Sequence, residues 1–295
     1  MTADRSGMLL GLIAVLLWST IAPALKLALN VWPLHAVLWV AVTASLSFFM
    51  VVLLSRGRLW RSLRLLKRYW RRAMIGALLA PLGYYLLLLG AYDQLSAQIV
   101  QPINYTWAFV LTLLVALRLK RPVRVQDWQG MALGYAGVVV LVVGGREVLM
   151  LTGPGLVMAL LSTLIWALFW VMMMSDRRPA LVAFVHHFIL AWPVLTLSLW
   201  IWGVEFLRVP QGWWPALHVG LFEMGITFLL WITALNRVTH TARVANLIFL
   251  APMLSLVWIV WLLGEPVVWT TPLALALIVL GQWWQHRARA LKTAQ

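Results

Sequence analysis

The sequence predicts an all-α membrane protein: ten transmembrane helices laid out as two inverted-topology five-helix repeats, with both termini on the cytoplasmic side. Three observations carry this expectation. Apolar runs of about twenty residues, each long enough to cross about 30 Å of hydrocarbon, recur along all 295 residues of a chain that is 63% hydrophobic and 11% charged, with mean hydropathy +0.92. Basic residues gather in alternate connections. Residues of the first half return in the second at a nearly fixed offset.

The spans are expected near 8–28, 33–54, 73–91, 98–117, 127–144, 154–174, 180–202, 213–235, 242–263 and 268–285. Connections are short except for 55–72, which leaves no room for a separate soluble domain. A net charge of +15 would suggest a nucleic-acid partner in a soluble protein, but in a membrane chain the position of the charge matters more. With the N-terminus inside, the cytoplasmic segments hold all of the 23 basic residues except Arg146, Arg208 and Lys26. This bias predicts a multi-pass protein of the inner (cytoplasmic) membrane with both termini cytoplasmic.

The internal repeat is read from residues that are rare by chance in such a composition. At an offset of 144, Gly76 matches Gly220, Pro122 matches Pro266 and Gly137 matches Gly281, with Leu86/Leu230 and Val100/Val244 in the same register. The first spans match at 148, pairing Gly7 with Gly155 and Trp18 with Trp166. The expected units are 1–146 and 147–295. Arg5 and Ala22-Pro23-Ala24 imitate a signal peptide, but the return of Trp18 as Trp166 places the first span in the mature fold. Five spans per unit is an odd number, so the units must lie upside down relative to each other. Inverted repeats of this kind hold a substrate near the midplane and expose it to alternate sides.

One stretch stands out within the fourth span: Gln98-Ile99-Val100-Gln101-Pro102-Ile103-Asn104-Tyr105-Thr106-Trp107. Unpartnered amides in hydrocarbon cost about a few kcal/mol each, so these side chains must face other helices or a wet cavity. The opening span with Leu17-Trp18-Ser19, the stretch from Ala91 through Trp107, and Ala251-Pro252 running to Gly264-Glu265-Pro266 together resemble the drug/metabolite transporter superfamily, in its ten-helix EamA-type branch. Asn104-Tyr105-Thr106-Trp107 is most similar to the bacterial aromatic amino-acid exporters of that group. The resemblance implies a cavity lined by the first, third, fourth, sixth, eighth and ninth spans, and it assigns cavity roles to Tyr84, Trp107 and Trp166. Ala108 departs from the proline usual there, and Lys120-Arg121-Pro122 departs from the Gly-Glu-Pro of the second half.

The candidate substrate-binding residues are Trp18, Tyr84, Gln101, Asn104, Trp107, Trp166, Trp231 and Asn246. Gln98, Gln101 and Asn104 share one side of the fourth span; they either line the cavity or make interhelical bonds. Glu223 is the carboxylate set inside a span, about 15 Å below Trp213 at 1.5 Å per residue, and Gly220, Glu223, Thr227 and Trp231 share a helical face. It reads as a proton-coupling or cation-pairing group, or as a packing hydrogen bond. His187 is a second titratable candidate, against a structural reading for the His186-His187 pair. Deep indoles can stack an aromatic body, cage an organic cation or pack. Tryptophans near span ends, Trp32, Trp60, Trp70, Trp213 and Trp283 among them, read as interface anchors.

Cysteine is absent, and no His/Asp/Glu spacing resembles a metal site, so no metal and no cofactor are expected. Residues 55–72 set Trp60, Leu63, Leu66 and Trp70 against Arg61, Arg64, Lys67, Arg68, Arg71 and Arg72. This amphipathic pattern predicts a helix lying on the anionic leaflet from Arg56 to Arg72, not a nucleic-acid site. Gly7-x-x-x-Gly11 and Gly130-x-x-x-Gly134 read as close-packing faces. The leading functional expectation is a secondary transporter exporting a small amphiphilic metabolite such as an amino acid. The alternatives are an organic-cation transporter built on the indoles and Glu223, and a non-transporting scaffold. An enzyme is not expected, since convergent acid, base or metal groups are missing. The oligomeric state stays open between monomer and homodimer.

Overall fold

The computed structural model describes residues 3–118, 120, 123, 125–144, 153–203, 205–238, 244 and 246–293, and all regular structure among them is helical. The helices are α1 (Ala3–Ser19), α2 (Ile21–Leu29), α3 (Leu34–Ser55), α4 (Leu59–Ala77), α5 (Tyr84–Gln94), α6 (Ala97–Tyr105), α7 (Trp107–Arg118), α8 (Val125–Gly144), α9 (Gly153–Met173), α10 (Ala180–Trp202), α11 (Trp213–His218), α12 (Ile226–Arg237), α13 (Leu250–Leu263) and α14 (Thr270–Thr293). Among the described residues seven continuous stretches are long and apolar enough to cross a membrane: Ala3–Leu29, Leu34–Ser55, Leu59–Gln94, Ala97–Arg118, Gly153–Met173, Ala180–Trp202 and Pro210–Arg237. Leu250–Leu263 and Thr270–Trp284 add shorter apolar helices. The chain is a multi-pass membrane protein.

Several of these stretches are broken near their middles, and the sequence shows why. Between α4 and α5 the backbone passes through a π-helical segment, Leu78–Gly83, in which Ala80 is extended (φ −152°, ψ 126°) ahead of Pro81. Proline lacks the N–H that a regular turn needs and disfavours helical backbone in the residue before it. The corresponding place in the second half is the π-helical segment Val219–Gly225 between α11 and α12, ending at Gly225 with φ −104° and ψ −94°. Thr106 interrupts the α6–α7 stretch, and Thr20 the α1–α2 stretch. Such interruptions are tolerated in a bilayer only where the freed backbone is buried in protein or lines a cavity.

The glycines of the sequence repeat make equivalent contacts in the two halves. A Cβ on Gly76 would meet the His187 ring of α10 at 2.3 Å, and one on Gly220 would meet the Ala41 carbonyl of α3 at 2.5 Å. Gly155 packs on Gln94 and Leu95, Gly7 on Ala234, Arg237 and Val238. Gly281 of α14 and Gly137 of α8 face each other's helices, with Cβ positions 2.3 Å from the Gly130 carbonyl and 2.6 Å from the Ala274 carbonyl. Without a hydrophobic force between helices in lipid, such close approach is what association runs on. The expected packing faces are therefore used: Gly7 and Gly11 meet the other half, whereas the Gly130/Gly134 backbone meets Gly281 of the other half and Gly134 also packs on Phe109 of its own.

Two placements differ from the sequence reading. Trp32 is not at a lipid interface: it is 1% exposed, donates its Nε1–H to the Val209 carbonyl at 3.1 Å, and packs edge-on against Trp213. The shared face expected of Gly220, Glu223, Thr227 and Trp231 presumed unbroken 3.6-residue turns. The π-segment shifts that register, so Gly220 packs on α3 while Glu223 reaches Tyr85 of α5.

Candidate functional site

The breaks bring one ring of aromatic and polar side chains together from both halves. Tyr84, at the start of α5, stacks on Trp166 of α9 with ring centroids 4.3 Å apart and planes at 23°. Its hydroxyl donates to Asn104 Oδ1 at 3.2 Å, and Asn104 Nδ2 donates to Ser162 Oγ at 3.3 Å. Trp166 meets Trp107 edge-on at 6.5 Å and Trp170 edge-on at 5.7 Å, and lies 6.0 Å from Phe228. Trp107 and Trp170 are near-parallel at 6.5 Å. Tyr84, Tyr85 and Trp166 are buried, whereas Asn104, Trp107 and Glu223 keep partial exposure.

Glu223 joins this box through the neighbouring phenol. Tyr85 Oη donates to Glu223 Oε1 at 3.1 Å, a bond across the two halves. On the other side Trp18 donates its Nε1–H to the Glu223 main-chain carbonyl at 3.3 Å and packs on Trp231 and Phe228 with centroids 5.2 and 6.1 Å away. The pairing is repeat-related: Tyr84 and Phe228 correspond at the 144 offset, Trp18 and Trp166 at 148, and each indole packs against the opposite half's ring. Among the described residues the bond recorded to the Glu223 carboxylate comes from a neutral phenol. Chemically the box presents indole and phenol rings, an amide at Asn104 and an ionisable carboxylate at Glu223, the groups that suit a planar or cationic body.

The remaining candidates are placed as follows. Gln101 accepts the Tyr92 hydroxyl and also bonds Tyr105, in a tyrosine layer that includes neither Trp107 nor Trp166. Gln98 turns away from the box: its Nε2 donates to the Pro266 carbonyl at 3.1 Å and its Oε1 accepts from Thr271 at 3.0 Å. Asn246 opens a short 3-10 turn, Asn246–Phe249, and its side chain lies outside the described residues. His187 is not in the box either; Arg178 Nη2 lies 3.2 Å from its Nε2, and its ring contacts Phe169 and Phe184. No group of three or more His, Asp or Glu among the described residues is disposed to hold a metal.

Four members of the box were not singled out in the sequence: Tyr85, Ser162, Trp170 and Phe228. Trp170 follows Trp166 by one helical turn, and Phe228 is the repeat partner of Tyr84, so both carried a signal. Glu265, too, has a role that spacing did not suggest. Gly264 closes α13 in the left-handed region (φ 65°), where glycine has no Cβ to clash. The carboxylate that follows it accepts the Ala97 and Gln98 amides of α6 at 3.1 and 3.3 Å, a negative charge on the N-terminus of a helix in the other half.

The family model for EamA-like transporters matches the chain twice, over residues 5–143 and 153–284. The chain belongs to the EamA-like transporter family. Its two matched stretches contain the two sets of side chains that meet in the box, so the candidate site of this EamA-like transporter lies between the two repeats. A solved crystal structure is similar in fold, with TM-score 0.70 and 23% identity over 97% of this chain and 99% of its own. No curated protein matches the chain.

Proposed function

We propose that this chain is a secondary active transporter that exports a small amphiphilic metabolite, such as an aromatic or other amino acid, across the inner membrane by alternating access. In this reading ten helices form two inverted units, residues 1–146 and 147–295, with both termini cytoplasmic and the basic Arg56–Arg72 segment on the anionic leaflet. The observation that carries it is the Tyr85–Glu223 bond inside a box whose walls come from both units. A site shared in this way changes its access when the units rock, and broken helices at such a site are a transporter arrangement. The experiment is counterflow in proteoliposomes against a panel of amino acids, amines and aromatic cations. Flux of an unchanged solute supports transport; chemical conversion or the absence of any flux contradicts it.

A second reading has its own observation. The ionisable group of the box is a carboxyl, bonded there by a phenol and set beside indoles, which suits an organic cation. Glu223→Gln separates the cases, because it keeps shape and hydrogen bonding but cannot ionise. If Glu223 couples transport to protons, the variant still exchanges a neutral or zwitterionic solute and loses its response to an imposed pH gradient. If it pairs with a cation, binding itself collapses. Unchanged rate and unchanged pH profile would remove Glu223 from the mechanism.

A further inference from the structure

A second polar cluster, which the box does not use, lies in the connection between α9 and α10. Arg178 and Asp176 each have side chains only 1% exposed. The Arg178 guanidinium donates to Asp176 Oδ1 at 3.0 Å and Oδ2 at 2.6 Å, and reaches His186 Nδ1 at 3.0 Å and His187 Nε2 at 3.2 Å. A guanidinium only donates, so both imidazoles accept here and are neutral. His186 is left with its Nε2–H for the Ser62 carbonyl, 2.9 Å away. Arg72 donates to the Met172 carbonyl at 3.0 Å and lies 3.3 Å from Asp176 Oδ2, and the Tyr69 ring lies 5.5 Å from the Arg178 guanidinium carbon.

Ser62, Tyr69 and Arg72 all belong to α4. One face of that helix is therefore seated on the connection that follows α9. The opposite face is of another kind. Arg58, Arg61, Arg64, Lys67, Arg68 and Arg71 are exposed, Trp60 and Trp70 are 71% and 52% exposed, and residues 56–72 contain no acid. α4 runs on without a loop into the apolar stretch that ends at Gln94, so its basic face emerges at the membrane surface. From the cluster a line of ring contacts leads to the box: His187 on Phe169, and Phe169 stacked on Trp166 at 5.4 Å.

We infer that α4 is a docking face for anionic phospholipid, and that the charge of the leaflet sets the position of the α9–α10 connection, and with it the box, through the Arg72–Asp176–Arg178–His187 cluster. Charge complementarity names the partner. Six exposed cations flanked by exposed indoles match an anionic headgroup layer over an apolar interior, whereas a soluble polyanion offers no apolar layer to take the indoles. Each basic residue near an anionic surface shifts docking about fivefold. The functional consequence rests on the transport reading, but the docking and its transmission do not.

The test needs no transported solute. The chain lacks cysteine, so single labels can be set by Trp60→Cys on α4 and by Met174→Cys, 67% exposed in the connection. The full-length protein is placed in vesicles of phosphatidylcholine alone or with about one-third phosphatidylglycerol. Quenching of the first label by spin-labelled lipid and the emission of the second are then read. Both should change when phosphatidylglycerol is present, and both changes should vanish at about 1 M salt, where the screening length falls to about 3 Å. Arg61→Gln, Arg64→Gln and Lys67→Gln, all at exposed positions, should each weaken docking about fivefold. Arg72→Gln should keep the response on α4 and lose it in the connection. Equal signals in the two vesicles, or the same shifts on adding soluble polyphosphate to phosphatidylcholine vesicles, would overturn lipid docking. A response at Trp60→Cys with none at Met174→Cys, or one at Met174→Cys that survives Arg72→Gln, would overturn its transmission. Because no solute is involved, either failure leaves the transport reading to be judged by counterflow alone.

Discussion

Tyr84 and Trp166 make the closest stacked pair of the box, and truncating either wall should be felt by anything bound between them. Trp107→Ala and Trp166→Ala are expected to weaken solute binding by about 1–3 kcal/mol, from lost burial together with stacking or cation–π attraction. Trp283→Ala, on an indole 42% exposed, should leave binding nearly unchanged. Trp166 is only 7% exposed, so its loss also costs about 3–5 kcal/mol of stability; Trp166→Phe, which keeps a ring, separates the two effects in a binding titration paired with thermal melting. Asp176 makes a different kind of prediction. Burial alone would raise its pKa, but the hydrogen bonds from Arg178, with the charges of Arg178 and Arg72, outweigh this and hold it below the ordinary aspartate value of 3.8. A depressed carboxylate stabilises the folded state above its unfolded pKa and loses that contribution only as pH falls through the folded value. The stability difference between wild type and Asp176→Asn, about 3–5 kcal/mol because a buried guanidinium loses its partner, should persist from neutral pH to about pH 4 and shrink only below it. A difference that shrank between pH 7 and pH 5 would contradict the assignment.

Helices in this molecule meet through glycines at places where a methyl group does not fit. The α8–α14 contact is the clearest, since a Cβ at Gly281 would fall 2.3 Å from the Gly130 carbonyl and 3.0 Å from the Gly134 amide nitrogen, both backbone atoms that cannot swing aside. Gly281→Leu should therefore force the helices apart and lower stability by at least about 1–3 kcal/mol. Gly153→Leu, at an open position with no atom within 4 Å, is the matched control. Equal melting temperatures for the two variants would mean that the α8–α14 approach is not what holds these helices. These glycines were legible in the chain because Gly137 and Gly281 stand in the repeat register. The π-segments were not read, although Pro81 in the middle of an apolar run announces an interruption, and its counterpart at Val219–Gly225 contains no proline at all.

The molecule as a whole can be tested by the side from which it is labelled. On the cysteine-free chain, Arg64→Cys and Met174→Cys are expected to react with an impermeant reagent only from the cytoplasm, and Gln211→Cys only from outside. All three sites are exposed. Ser62 would be a poor choice, since it is 2% exposed and bonded to His186. Labelling of positions 64 and 211 from the same side would contradict the inverted arrangement. The halves share one apolar core, and specific contacts across them add to it. These contacts are glycine approaches, the Tyr85–Glu223 bond, and the Glu265 cap on α6.

Hydropathy and the twofold recurrence of Gly, Pro and Trp were enough to place this chain in a membrane, to divide it into related halves and to nominate Asn104 and Glu223, while the cavity roles of Tyr84, Trp107 and Trp166 came from the resemblance to EamA-type transporters. Those properties are local or periodic, and a single chain displays them directly. Which polar groups face one another is not periodic. Gln98, Gln101 and Asn104 share one side of a helix, yet they end on the Pro266 loop, on Tyr92 and on Tyr84 respectively, because α6 is surrounded by different neighbours at each turn. Glu223 finds Tyr85, and His187 finds Arg178, across sequence separations that no spacing rule connects. The broken backbone at Leu78–Gly83 and Val219–Gly225 turns Tyr85 and Glu223 out of the regular helical register, and only the packing of both halves determines where they point.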